Sequence, residues 1–211
     1  MRILITAGGT REYIDPVRFI SNASSGKMGY ALAHVALKAG HNVTLITAPT
    51  IQRPPGKVML VKIETAAQMF EAVKKNFNQS DCLIMAAAVA DYTPARPAKT
   101  KLKKTGKSIT LKLKPTPDIL QWAISHKKKK QIVIGFALED KAIRANAQKK
   151  LQDKNLDMIV ANSPAAIGAD KSNVQIKIPN SPWLEIQNAA KSATATKIIH
   201  MVEKLHRASF K

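Results

Sequence analysis

A doubly wound, mostly parallel α/β sheet of Rossmann type is the fold this sequence predicts, with a small terminal β hairpin and a mobile basic loop at about residues 93–107. Three observations predict it. Short apolar runs such as "RILITAG" and "LDMIVANS" read as strands buried on both faces. Segments with helical periodicity alternate with those runs, the signature of βαβ units. The 211 residues, 45% of them hydrophobic, are enough for one sizeable core, so the chain is read as a single domain over residues 1–211.

The elements follow in order. "RILITAG" is a buried strand ending in Gly-Gly-Thr, a turn. A long polar loop then leads to "YALAHVALKAG", a helix with Gly40 as its C-terminal cap. "HNVTLIT" is the second strand, so the first 47 residues form a βαβ unit with a right-handed crossover. After the Pro-rich "PTIQRPPGK" come a strand, "VMLVKIE", and a helix, "TAAQMFEAVKKNF", with Thr65 as its N-cap. "SDCLIMAAAVADY" is an apolar strand running into small residues. "TPARPAKTKLKKTGK" has no apolar periodicity and is the basic loop. "SITLKLK" alternates apolar and cationic residues and reads as a strand with one wet face. "TPDILQWAISH" starts a helix, with Thr116 as candidate cap and Pro117 at the first helical position. "KKKKQIVIGFALE" and "LDMIVANS" are buried strands on either side of the basic helix "DKAIRANAQKKLQDKN". "NVQIKI" and "PWLEIQN" form the terminal hairpin, and "SATATKIIHMVEKLH" is the closing helix.

Composition excludes several classes. The single cysteine rules out a disulfide framework within the chain and fits a cytoplasmic setting. No apolar run reaches the roughly 18 residues of a membrane span. The formal net charge of +20 invites an anionic partner. Half of the 34 Lys and Arg residues fall between Arg96 and Lys154, where only four acids occur. Solvated surface explains a charge run as well as an anion site does.

Ligands of such folds lie at the carboxyl ends of the strands. Four pieces are placed there: Gly8-Gly9-Thr10, the Ser-rich loop, "AAAVADY" and "GFALE". The loop lacks both the dinucleotide pattern G-x-G-x-x-G and the Walker pattern, since Met28 follows Gly26-Lys27. Yet Ser24, Ser25 and Gly26 stand at a helix start, where free N–H groups and small hydroxyls favour an anion. A capped helix approaching the sheet closely accounts for the same residues. The alanines of "AAAVADYTP" let a flat ligand lie against the backbone. Asp91 beside them can accept from a sugar hydroxyl, hold a metal, or simply close a turn. Lys101, Lys103 and Lys104 sit on a loop able to close over phosphates, and Lys150 and Lys154 share one helix face. There is no HExxH, no CxxC and no Ser-His-Asp spacing.

The stretches "ITAGGTREYIDPVRFISNASSGKMG", "AAAVADYTP", "KLKK", "PDIL", "GFALE" and "KNLDMIVAN" with "IGADKSN", in this order, resemble phosphopantothenoylcysteine synthetase, the ligase of coenzyme A biosynthesis. The resemblance covers nearly the whole chain. It implies a ligase, unrelated to the ATP-grasp enzymes, that joins 4'-phosphopantothenate to L-cysteine through an acyl-nucleotide. Because the chain begins at the synthetase motif, it resembles a stand-alone bacterial member, without the flavin-dependent decarboxylase half. The resemblance implies CTP as co-substrate, Mg²⁺ with the triphosphate, no flavin, a homodimer, and no need for nucleic acid or membrane. It makes Asn22 and Lys101 catalytic. Asn22 handles the intermediate and Lys101 neutralises triphosphate charge. It gives Gly8, Gly9, Ser24, Ser25, Gly26, Ala87, Asp91, Pro117, Asp118, Ile119, Leu120, Phe136, Lys150 and Lys154 to the nucleotide, and Arg18, Asn22, Ala87 and Ala88 to the acid substrate. Two departures stand out: Asp140 follows Glu139 where the family often has Thr, and Ile167-Gly168-Ala169-Asp170 replaces F-G-x-D. The competing reading is a basic nucleotide- or nucleic-acid-binding module without ligase activity. It is disfavoured by an aromatic content of 5%, too low for interleaved stacking platforms.

Overall fold

The structure, a computed structural model, describes residues 1–210. The first strand, β1 (Arg2–Ala7), is buried from Ile3 onward, as its unbroken apolar run requires. The chain leaves it through Gly8 at φ +81° and folds a short antiparallel hairpin, β2 (Arg11–Tyr13) and β3 (Phe19–Ser21). Helix α1 (Lys27–Lys38) follows, capped at its start by Gly26 at φ +73°. Gly40 at φ +80° ends it, as the sequence predicts. Strands β4 (Asn42–Thr47) and β5 (Met59–Lys62) run parallel to β1. Helix α2 (Ala66–Phe77) opens with a capping box: Thr65 accepts from the backbone of Gln68, whose side chain accepts in return from Thr65. Its apolar stripe of Met69, Val73 and Phe77 is fully buried.

Strand β6 (Cys82–Met85) returns the chain to the other side of β1. A second small hairpin, β7 (Tyr92–Pro94) and β8 (Leu113–Pro115), brackets the basic loop. Then come α3 (Ile119–Ser125), β9 (Ile132–Leu138), α4 (Ile143–Asp153) and β10 (Met158–Asn162). A 3-10 turn (Pro164–Ala166) leads to β11 (Lys171–Lys177), β12 (Leu184–Ala190) and α5 (Lys191–Ala208).

Eight strands form one sheet in the order β5-β4-β1-β6-β9-β10-β11-β12. The six from β5 to β10 are parallel; β11 and β12 add antiparallel at the edge. The chain winds outward from β1 to β5, then restarts beside β1 with β6. That reversal opens a crevice above the carboxyl ends of β1 and β6. Two apolar layers cover the sheet. One joins α1 and α5 to Ile3, Ile5, Ile84 and Ile134; the other joins α2, α3 and α4 to Leu4, Leu83, Val133 and Ile159.

The terminal hairpin expected from the sequence is present as β11 and β12, and because β11 also pairs with β10 it extends the sheet. Two expectations need correction. "SITLKLK" is not a strand along its length: only Leu113–Pro115 pairs, with β7 and outside the main sheet. The cap of α3 is Asp118, whose carboxylate accepts from Gln121 N at 3.0 Å, and Pro117 precedes the helix. Thr116 lies two residues before the cap position of a helix that begins at Ile119, and its hydroxyl donates instead to the carbonyl of Ala90 at 2.6 Å.

Candidate functional site

A cavity of about 540 Å³ lies in the crevice between the ends of β1 and β6. Its floor is the alanine-rich segment after β6. Two buried threonines hold that segment flat: Thr6 Oγ1 accepts from Ala87 N at 3.2 Å, and Thr10 Oγ1 from Ala90 N at 2.9 Å. Ala88 N also donates to Gly8 O at 2.8 Å. Gly8 and Gly9 therefore back the floor rather than line it. Gly9 lets the Ser-rich loop come close: a Cβ there would stand 2.6 Å from the carbonyl oxygen of Asn22. Ala87 and Ala88 line the cavity.

The Ser-rich loop forms one wall. The side-chain amide of Asn22 donates from Nδ2 to Val89 O at 3.1 Å, which orients it across the cavity rim. Ser24, Ser25 and Gly26 follow along the same wall. The N–H groups of Gly26 and Lys27 reach only their loop's own hydroxyls, at 3.4 and 3.5 Å, near the limit of a hydrogen bond. Donors so weakly held at a helix start are receptive to an anion.

Four lysines ring the cavity, each tethered to a protein oxygen. Lys150 Nζ donates to Phe136 O at 2.8 Å, and Lys154 to the Asp118 carboxylate at 2.5 Å. Lys27 meets Gly168 O and Asp170, both at 2.7 Å, and Lys191 meets Ala166 O and Ser172 Oγ at 3.2 and 2.9 Å. Burial lowers the pKa of Lys150, and the neighbouring Lys154 lowers it further. Lys191 is lowered by burial and then by Lys27. Burial works against the Asp118 carboxylate, yet hydrogen bonds from Lys154 and Gln121 outweigh it and leave its pKa lowered. Desolvated cations facing one another favour an anion between them.

Of the residues expected from sequence, Asn22, Ser24, Ser25, Gly26, Ala87, Ala88, Asp91, Phe136, Lys150 and Lys154 line this one cavity, as do Pro117, Asp118, Ile119 and Leu120 at the start of α3. Lys101 does not: it lies on the exposed loop between β7 and β8. Arg18 also stands outside, spending Nε and Nη2 on Asp15 and Nη2 again on the carbonyl of Leu102 at 2.8 Å. The sequence reading missed Lys27 and Lys191. Lys27 was visible only as a failed Walker lysine, and nothing local links it to the first residue of α5. Among the described residues no cluster of three His, Cys, Asp or Glu side chains is placed to hold a metal, and no helix is long and apolar enough to cross a membrane.

A Rossmann-type sheet with a lysine-ringed cavity at its switch point defines an α/β protein with a site receptive to an anion. The chain belongs to the DNA/pantothenate metabolism flavoprotein C-terminal domain family, matched over residues 1–205. It is 43% identical over 210 residues to the coenzyme A biosynthesis bifunctional protein CoaBC of Bacillus subtilis (strain 168), covering 97% of this chain and 52% of that protein. The chain thus spans about half the length of the curated relatives it matches. Its structure superposes on the crystal structure of the C-terminal domain of a CoaBC with a TM-score of 0.85 at 40% identity, covering 98% of this chain and 96% of the other. The same fold recurs at 17% identity and a TM-score of 0.82 in a Cab2 mutant solved in complex with phosphopantothenate-cysteine, covering 100% of this chain and 89% of the other.

Proposed function

We propose that this chain is a phosphopantothenate–cysteine ligase: it condenses 4'-phosphopantothenate with L-cysteine at the expense of CTP, releasing pyrophosphate and CMP. The observation that carries the reading is the convergence of the Asn22 amide, the Ser-Gly start of α1 and four lysines on one cavity with an alanine floor. An amine does not displace a carboxylate oxygen at neutral pH, so the acid must first be activated. Its carboxylate attacks the α-phosphate, pyrophosphate leaves, and an acyl-cytidylate forms. The cysteine amine then attacks the acyl carbonyl, and CMP leaves with the bonding electrons. No redox step occurs, so no flavin enters.

The protein groups have distinct tasks. The loop N–H groups and hydroxyls of Ser24, Ser25 and Gly26 receive phosphate oxygens. Lys150, Lys154, Lys27 and Lys191 offset the ligand's negative charge, and Lys101 adds to this when its loop closes. The floor of Ala87 and Ala88, with Phe136 and Leu120 beside it, takes the flat base. Asn22 orients the acyl carbonyl and donates to the oxyanion that develops there. Arg18, committed to Asp15 and Leu102 outside the cavity, is given no direct contact with the acid substrate in this reading. Mg²⁺ would enter coordinated by the triphosphate oxygens, and Asp91 at the cavity is the carboxylate that would meet it, since Mg²⁺ is typically bound through one or two carboxylates plus substrate phosphates. When bound, it would withdraw charge from the phosphoryl oxygens. The reading includes a cytoplasmic homodimer.

The test is CMP release from CTP that requires both 4'-phosphopantothenate and cysteine, run beside ATP, GTP and UTP. Turnover with CTP far above ATP supports the full proposal. Equal or better rates with ATP overturn the choice of nucleotide and leave the ligase. Salt-sensitive RNA binding without turnover would favour a basic binding module instead.

A further inference from the structure

The turn between β2 and β3 holds a carboxylate that the chemistry above does not use. Asp15 is 1% exposed. One of its oxygens accepts from the backbone N–H groups of Val17 and Arg18, both at 2.9 Å. The other accepts from Arg18 Nε at 2.9 Å, from Arg18 Nη2, and from Leu102 N at 3.2 Å. Arg18 Nη2 in turn donates to Leu102 O at 2.8 Å. The Asp15–Arg18 pair thus grips both the N–H and the C=O of one residue on the basic loop. A further bond from Ala98 N to Ile14 O, at 2.8 Å, fixes the loop a few residues earlier. A turn needing only a local cap would not direct a half-buried ion pair at a residue so distant in sequence. Hydrogen bonds from Arg18, first through its side chain, hold the Asp15 carboxyl well below the usual range, so the grip persists at neutral pH.

Leu102 lies between Lys101 and Lys103. The hairpin that grips it ends at Ser21, directly before Asn22. One hydrogen-bonded unit therefore carries both the root of the basic loop and the amide at the cavity rim. We propose that Asp15 is a positioning residue: through Arg18 and Leu102 it sets where Lys101 stands relative to Asn22. Asp15 itself touches no substrate. This inference rests on the ligase reading for its kinetic consequence, but the grip itself does not.

Two measurements test it. The first is trypsin cleavage after Lys103, taken as a ratio to cleavage after Lys107 in the same loop. Trypsin must hold residues on both sides of the bond it cuts, so Leu102 has to leave the clamp. Asp15→Asn is expected to raise the ratio about tenfold, the equivalent of one hydrogen bond to a charged group. Leu102→Pro removes the loop N–H from the loop side, leaving Asp15 and Arg18 in place, and is expected to raise it too, which keeps the test available if Asp15→Asn folds poorly. An unchanged ratio in the folded variants overturns the grip. The second is a cycle of Asp15→Asn with Lys101→Gln in the CTP-dependent assay. Asp15→Asn alone is expected to lower kcat about 10²-fold, as for a reacting group displaced by an ångström, with KM for cysteine unchanged. In the Lys101→Gln background it should cost little more. Additive losses overturn the positioning role and leave Asp15 as a structural residue. If the wild type shows no ligase turnover, the function fails, and the trypsin ratio alone decides the grip.

Discussion

Gly9→Ala separates the geometry of the Ser-rich loop from its chemistry. Gly9 is outside the left-handed region, unlike Gly8, so alanine meets no backbone strain of that kind. It meets a steric obstacle instead. The new Cβ would lie 2.6 Å from Asn22 O, and ordinary contact begins at 3.4 Å, so the Asn22 backbone must retreat by about 0.8 Å. Asn22 is exposed and sits in a loop, so it can yield. Because the atom met is backbone, the stability cost spans the usual range of overpacking, about 1–3 kcal/mol, with each kcal/mol lowering Tm by about 2–4 °C. The cost to chemistry is separate. A misplacement of roughly an ångström at a reacting centre is worth about 10²-fold in rate, or about 2.7 kcal/mol in the barrier. The assay is single-turnover quench with labelled phosphopantothenate, resolving acyl-cytidylate from phosphopantothenoylcysteine, beside a thermal melt. The second half-reaction should slow by about 10²-fold while the melt shows a folded protein with Tm lowered within that range. A folded Gly9→Ala enzyme with near wild-type conversion would refute the claim that Asn22 must stand where it does.

Asn22→Asp keeps size but places a carboxylate where the anhydride's charge develops; acyl-cytidylate should accumulate and its conversion on adding cysteine should fall about 10²–10³-fold, as for loss of one oxyanion donor. Thr65→Ala removes the capping box of α2, on the opposite layer from α1; it should cost about 1 kcal/mol and leave kcat unchanged, checked by urea melts and turnover. Asp15, Asp81, Asp118 and Asp170 all have lowered folded pKa values. Depressed carboxylates stabilise the fold above their unfolded value of about 3.9, and that contribution is lost as pH falls through the folded values. Stability contributed by these groups should therefore hold from pH 7 to about 5 and fall below about pH 4, with a shallower acid limb in Asp15→Asn, measured by urea denaturation across that range.

What could be read in the sequence follows from which forces act locally. The parallel strands were legible because burial on both faces forces long apolar runs. Helix α2 was legible because its cap and its stripe both lie within one segment. The β2–β3 and β7–β8 hairpins were not, because three-residue strands leave no alternation to detect. The alternation in "SITLKLK" misled, since a period of two reports only that a strand could have two unlike faces, not that a partner exists. Thr116 and Asp118 compete for one cap in "TPD", and the start of the helix at Ile119, which the local sequence does not fix, gives the place to Asp118. At the site, the loop and strand-end residues carry their own signal of small and polar types. Lys27 and Lys191 carry none, because their meeting depends on α1 and α5 packing on the same face of the sheet.

The lysines around the cavity differ in kind from the rest of the +20 charge. A free lysine has four flexible bonds and about 2 kcal/mol of rotamer entropy to lose on fixing an anion. Here each of the four is already held by a carbonyl, hydroxyl or carboxylate of the protein. An entering phosphate therefore meets charges that are oriented beforehand, two of them in surroundings that disfavour their ionised form. The anion relieves that penalty, so binding and charge stabilisation draw on the same preorganisation. The lysines elsewhere, tethered ones such as Lys127 on Asp157 included, stand away from the cavity and can add only long-range attraction, which salt screens within about 8 Å at physiological ionic strength. Removing surface lysines should thus slow capture of an anionic ligand, whereas removing Lys150 or Lys191 should loosen its hold once captured. The distinction lies in four tethered lysines standing around one cavity, not in the tether alone or in how many positive charges the chain carries.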